Sequence, residues 1–300
     1  MDSETPTIRL RLDVAYDGTR FSGWSRQPGL RTVQGEIEAA LATVFRRYGP
    51  APHLTVAGRT DAGVHATGQV AHLDLTPEQF ASLERPRQGG HEAPRPAPAA
   101  LQKRLNGIAG LGSDLYVSRV SAAPEGFDAR FSAAWRRYEY RVADTTATRN
   151  PLLQNHTLWY PAALDEQAMD AAARSLLGLH DWASYCKPRE GATTIRTLQG
   201  FGWHRQSDGI LVATVLADAF CHSMVRALVG ACVAVGEGKL AVEDLVRLRD
   251  DQQRTSEFKV MPAKGLTLLE VGYPADEELA ARAAQTRGLR VLNEPPLSVD

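Results

Sequence analysis

The chain of 300 residues carries 34 Lys and Arg against 35 Asp and Glu, a formal net charge of −1, and 43% of its residues are hydrophobic. This composition excludes disorder as the main state and is sufficient for one large core or for two domains. Near-neutral charge neither requires nor excludes a nucleic-acid partner, because such binding rests on a local basic surface and not on the sum. No apolar run approaches the ~18 residues of a membrane span. The start, Met1-Asp2-Ser3-Glu4-Thr5-Pro6, lacks the basic and apolar regions of a signal peptide, so a cytoplasmic protein is expected. Cys186, Cys221 and Cys232 are widely spaced with no C-x-x-C pair, and neither a disulfide framework nor a structural zinc site is expected from them.

In chain order, residues 1–7 read as a flexible N-terminus. Ile8, Leu10, Leu12, Val14 and Tyr16 then alternate with Arg9, Arg11, Asp13 and Ala15, the period-two pattern of a half-buried strand. Turn residues Asp17-Gly18 and Pro28-Gly29 lead to Thr32 as N-cap. Val33, Ile37, Leu41, Val44 and Phe45 follow at helical spacing. Short strands are predicted over 53–57 and 69–75, with Gly58–Gly68 as the loop between them, then a helix over 101–108 and a strand over 115–120. Residues 84–100 hold Pro86, Pro94, Pro96 and Pro98 among Arg, Gly and Ala, and read as a mobile insert without core contacts.

The second half repeats this order. A strand over 136–142 precedes a helix capped by Asp165 and stapled by Leu164 and Met169. Strands over 195–204 and 210–217 join through Ser207-Asp208-Gly209. A helix over 221–235 carries Met224, Val225, Leu228, Val229, Cys232 and Val233 on one stripe, a shorter helix covers 242–248, and a strand covers 266–272. Residues 275–300 read as a tail whose Ala- and Glu-rich start is compatible with a helix and whose end, Pro295-Pro296-Leu297, reads as unstructured. The element order β-α-β-β-α-β, met twice, predicts an α+β fold of two ferredoxin-like halves, 8–132 and 133–274, sharing a mixed, mainly antiparallel sheet with a central cleft.

Two stretches concentrate chemistry. Gly58-Arg59-Thr60-Asp61-Ala62-Gly63-Val64-His65 places an arginine, a carboxylate and a histidine among glycines at strand ends, where neighbouring side chains are held rigidly and a large ligand can approach. Taken alone, such a loop is more often structural than catalytic, with Asp61 capping its own turn. Arg130, Arg136, Arg137 and Arg141 interleave with Phe131, Trp135, Tyr138 and Tyr140, a pairing of phosphate-binding forks and stacking rings that also fits an ordinary amphipathic strand. His65, His72, His180, His204 and His222 lack metal-ligand spacing, and no G-x-x-x-x-G-K-[ST] loop occurs; neither a metal nor a nucleotide cofactor is predicted.

The string GRTDAGVHATGQVAHLD resembles the signature of the TruA-type tRNA pseudouridine synthases. Segments Tyr16–Trp24, Phe127–Ser132, Arg136–Tyr140, Ala219–Arg226 and Gly265–Pro274 are similar to the family in the same order, so that the resemblance covers most of residues 8–274. It implies a cofactor-free isomerase that converts uridine to pseudouridine at positions 38, 39 and 40 in the anticodon arm of tRNA and acts as a homodimer. It implies that Asp61 is the essential carboxylate, acting as nucleophile or as base at the ribose. Arg226 matches the arginine that the family places beside that aspartate, and Tyr138 matches a tyrosine that stacks on the uracil. Arg59 matches a residue tied to base flipping, and Phe127, Asp128, Ala129, Arg130 and Phe131 form a segment implicated in RNA contact. Residues 84–100 and 186–194 depart from the pattern, and Glu139 stands where basic residues are common. Two readings of other classes compete: a noncatalytic RNA-binding platform, which gives no reason for the set Arg59, Asp61, Tyr138 and Arg226, and a nucleoside glycosidase, which requires a second carboxylate that no motif nominates.

Overall fold

Alternation of apolar and polar residues makes Ile8–Tyr16 strand β1, with Leu10, Leu12 and Val14 fully buried. Thr32 caps α1 (Val33–Phe45), its hydroxyl accepting the Gly35 amide. β2 (Thr55–Val56) and β3 (His65–Leu75) follow, then α2 (Pro77–Glu84), α3 (Ala97–Ala109) and β4 (Leu115–Ala122). Next come β5 (Trp135–Ala143), β6 (Leu158–Trp159), α4 (Glu166–Ser175), β7 (Gly178–Asp181), β8 (Ile195–Arg205) and β9 (Leu211–Ala217). α5 (Met224–Gly236), α6 (Val242–Asp250), β10 (Leu266–Gly272) and α7 (Leu279–Arg287) close the chain. The computed structural model describes residues 6–85, 95–187 and 193–288.

These elements form two units. The first runs through Ala133 and regains the chain at Tyr273–Thr286; the second holds Ala134–Gly272. In the first, the antiparallel order is β4-β1-β3, with β2 pairing β3 through Thr55↔His72 and Val56↔Ala71. Its core joins Leu10, Leu12 and Val14 to Ile37, Leu41 and Phe45 of α1 and to Leu101 and Leu105 of α3. In the second, the antiparallel order is β10-β5-β9-β8-β7, and β6 adds to β5 in parallel, so the chain is α+β with open, mixed, mostly antiparallel sheet. Its core includes Tyr140, Trp182, Tyr185, Met169 and Leu228. Burial alone raises the Asp144 carboxyl, but Arg205, the Thr146 hydroxyl and the amides of Leu164 and Thr146 outweigh it and hold the group down at about 2.

Several expectations change. β3 begins at His65, so the glycine-rich loop is 58–64 and Gly68 lies within the strand. α2, which the sequence reading left unassigned, is capped by a reciprocal box between Thr76 and Gln79 with Pro77 in its first turn. Residues 97–100, expected within the mobile insert, begin α3 because Ala97 and Ala100 pack in the core; residues 86–94 of the insert lie outside the described residues. The tail forms α7, whose Leu279 and Ala283 are buried; Ser132 Oγ donates to the Leu279 carbonyl at 3.1 Å.

α5 is not striped: all of its residues except Arg226 are buried, as in a helix surrounded by protein. Gly230 permits this, because a Cβ there would stand 1.8 Å from the Lys259 carbonyl oxygen. The cysteines are also corrected. Cys186 and Cys221 are joined in a disulfide with Cα atoms 5.8 Å apart, beside a 3.0 Å bond from the Lys187 amide to the His222 carbonyl. A separation of 35 residues with no spacing motif leaves this pair invisible before folding.

Candidate active site

Asp61 sits half-buried in the loop between β2 and β3, flanked by buried Thr60 and exposed Arg59 and Ala62. Neighbouring backbone grips the loop closely. The Trp24 amide donates to Thr60 O at 3.1 Å, the Gly63 amide to Phe21 O at 3.2 Å, and the Val64 amide to Asp61 O at 3.2 Å. Such contact needs glycine at two places: a Cβ on Gly18 would lie 2.1 Å from Val64 O, and Gly23, at φ +94°, would bring one 2.9 Å from Thr60 O. The segment Tyr16–Trp24 is therefore the cradle of the Asp61 loop.

Polar side chains complete the cradle. Tyr16 Oη and Thr60 Oγ1 are 2.8 Å apart, and Gln69, fully buried on β3, donates through Nε2 to Gly58 O at 2.9 Å and to Tyr16 Oη at 3.3 Å. Burial pushes the Tyr16 phenol up to about 12, so it is protonated at neutral pH. His65 Nδ1 accepts the Gly18 amide at 3.1 Å and lies 3.1 Å from Asp17 Oδ1.

The segment 127–131 is a second rigid loop. Asp128 Oδ1 accepts the amides of Arg130 (2.8 Å) and Phe131 (2.9 Å), and Ser132 Oγ accepts the Asp128 amide at 2.9 Å. Arg9 makes a paired contact to Asp74, both bonds 2.7 Å, and donates to Phe127 O at 2.7 Å. Tyr273 donates to Ala129 O at 2.8 Å, and His72 Nδ1 accepts the Ala129 amide at 3.0 Å. Phe127 and Ala129 are buried and anchor the loop from inside. Arg130 is the exposed member, its guanidinium 4.9 Å from the centre of the half-exposed Phe131 ring.

In the second unit, period-two alternation along β5 puts Arg136, Tyr138, Tyr140 and Val142 on its buried face. Tyr138 stands between Val215 and Leu268 on the adjacent strands, with its ring 5.2 Å from that of Phe220 and perpendicular to it. Arg226, half-buried in the first turn of α5, donates to Met261 O at 3.2 Å and to Ser223 Oγ at 2.9 Å, with Ser223 held at φ 65°. The arginine and aromatic cluster does not form one surface. Arg136 is buried and donates to Asp218 O, Arg137 pairs with Glu270, and Arg141 bonds Glu139 and Gln206.

The chain is 67% identical over 284 residues, 95% of its length and 98% of the relative's, to tRNA pseudouridine synthase A of Leifsonia xyli subsp. xyli. It is 52% identical to the protein of the same name from Streptomyces avermitilis over 95% of both chains. To that of Streptomyces griseus it is 50% identical over 97% of this chain and 96% of the relative. The tRNA pseudouridine synthase family pattern also matches residues 172–274. The chain belongs to the tRNA pseudouridine synthase A family.

Within this family member, the residues singled out from sequence divide by the layer in which they stand. Arg59 and Arg130 reach the surface, Tyr138 and Phe127 do not, and Asp61 and Arg226 are intermediate. Sequence reasoning missed the residues behind them: Tyr16 and Gln69 behind Asp61, Arg9 and His72 behind Arg130. A signal was present. Gln69 and His72 are polar side chains at buried positions of the strand, where an amide or imidazole persists only with hydrogen-bond partners. Among the described residues, no group of three His, Cys, Asp or Glu stands together to hold a metal ion, and no helix is long and apolar enough to cross a membrane.

Proposed function

We propose that this chain isomerises uridine to pseudouridine at positions 38, 39 and 40 in the anticodon arm of tRNA, with Asp61 as the catalytic carboxylate. The observation that carries the reading is the Asp61 loop, in a chain 67% identical to a named tRNA pseudouridine synthase A: a half-buried carboxylate on backbone fixed from both sides, next to an exposed arginine. The glycosidic bond between C1′ and N1 breaks, the uracil turns, and C1′ rejoins at C5, from which a proton leaves. The ionised carboxylate opens this sequence either by attack on C1′ or by removing the C2′ proton, and both routes need a fixed oxygen with its charge. Tyr138 and Arg226 act with it, the ring against the uracil and the guanidinium in favour of the charged carboxylate. Arg59 fills the stack that the extruded nucleotide leaves, and Arg130 holds the RNA backbone with Asp128 and Phe131 shaping its loop.

Two ferredoxin-like halves are the architecture we assign. The antiparallel orders β4-β1-β3-β2 and β10-β5-β9-β8, with helices after the first and third strand of each, support it. A homodimer in the cytoplasm, with no small-molecule cofactor, is part of the same proposal, and a fully active monomer contradicts the dimer. The reading is tested by incubating the protein with unmodified tRNA and mapping pseudouridine chemically along the chain. Pseudouridine confined to the anticodon arm is expected. Release of free uracil, or binding with no product, overturns it in favour of a glycosidase or a noncatalytic binder.

A further inference from the structure

The buried bonds behind the Asp61 loop form one connected chain. Gln69 Oε1 accepts the Val70 amide at 3.1 Å, which orients the side-chain amide and leaves Nε2 as the group facing Gly58 O and Tyr16 Oη. Nε2 thus gives one hydrogen to each. Tyr16 Oη, accepting from Gln69, shares a hydrogen bond with Thr60 Oγ1, 2.8 Å away. The residue joined to Thr60 by one peptide bond is Asp61. Tyr16 lies 5% exposed, Thr60 7% and Gln69 0%, so water does not substitute for any member of this chain.

We propose that Gln69 and Tyr16 are positioning residues for the reaction. They act through Thr60 to hold the Asp61 carboxylate at one place and angle against the ribose. This rests on the reading of Asp61 as the catalytic carboxylate. The backbone bonds to Thr60 O and Gly63 N fix the path of the loop, but they leave rotation about the Thr60 and Asp61 Cα atoms to the side chains. Among the described residues, the side-chain hydrogen bond of Thr60 is the one to Tyr16. Misplacement of a reacting group by about 1 Å costs on the order of a hundredfold in rate, whereas binding of a large RNA through many other contacts is unaffected.

The test is single-turnover pseudouridine formation at saturating tRNA, with tRNA affinity and the melting temperature measured on the same preparations. Tyr16→Phe and Thr60→Val each remove the link while preserving shape. Each is expected to lower the rate at least about tenfold, with tRNA affinity unchanged. Thr60→Ser restores the hydroxyl and is expected to recover most of the rate. Tyr16→Phe combined with Thr60→Val is expected to be no slower than either alone, because both break one interaction. A purely structural role would instead lower the melting temperature of Tyr16→Phe and leave the rate of the folded fraction untouched. That result, or additive losses in the double variant, overturns the proposal. Asp61→Asn in the same series separates the two levels. An active Asp61→Asn removes the reading of Asp61, whereas an inactive Asp61→Asn beside a fully active Tyr16→Phe removes only the positioning role.

Discussion

Arg59 stands exposed two residues before Asp61, while the side chain between them, Thr60, turns inward to Tyr16. The same backbone that fixes the carboxylate therefore presents a cation outward. A role in filling the base stack and a role in holding phosphate make different demands on this side chain. Stacking needs the planar guanidinium, and phosphate contact needs only charge. For the first role, Arg59→Ala is expected to lower the single-turnover rate at saturating tRNA by about tenfold or more with little loss of affinity, and Arg59→Lys to restore it only in part. An unchanged rate with weaker, less salt-dependent binding shows a phosphate contact instead. Asp61 and Arg59 were singled out because they lie in one long motif. Gln69 lies in the same motif, yet its hydrogen bonds were not legible, since nothing in the string says that its amide turns back to Gly58 and Tyr16.

Among the elements, the 127–131 loop is sensitive to pH through His72. Burial lowers the imidazole, the Arg9 charge lowers it further, and its Nδ1 accepts the Ala129 amide only when neutral. The folded state thus resists a proton that the unfolded chain takes up below about pH 6.5, so stability rises with pH through this region and falls as pH drops. His72→Gln keeps an acceptor that does not titrate. The stability advantage of wild type over this variant is expected to shrink between pH 7 and 5, as followed by urea unfolding; a constant difference contradicts the assignment. The cysteines give a second check on element placement, because Cys186 precedes the segment before β8 and Cys221 precedes α5. Protein prepared without reductant is expected to show one titratable thiol on denaturation, that of Cys232, and three after reduction. Three without reduction contradicts the pairing. β1, α1, α4 and β9 were legible to within a residue or two, since their periodicity and caps are local. α2 carried a readable capping box in Thr76-Pro77-Glu78-Gln79, but its short apolar pattern hid it. The start of α3 was masked by Pro96 and Pro98, residues that signal loops and are equally at home in a helix's first turn.

For the whole molecule, composition and element order gave the class of fold, and the family resemblance gave the chemistry; neither gave the return of Tyr273–Thr286 to the first unit. That return depends on Leu279 and Ala283 finding an apolar seat, and on Tyr273 reaching Ala129 O, contacts between residues more than 140 positions apart in the chain. The account as a whole stands on Asp61 driving a reaction that exchanges the C5 hydrogen of uridine for a bond to ribose. The most direct measurement is tritium release from unmodified tRNA labelled at uridine C5, with wild type and Asp61→Asn compared at equal tRNA occupancy. Wild type is expected to release tritium in step with pseudouridine in the anticodon arm, and Asp61→Asn to bind the tRNA, keep its fold and release none. Tritium release by purified Asp61→Asn, or none by wild type, contradicts the account.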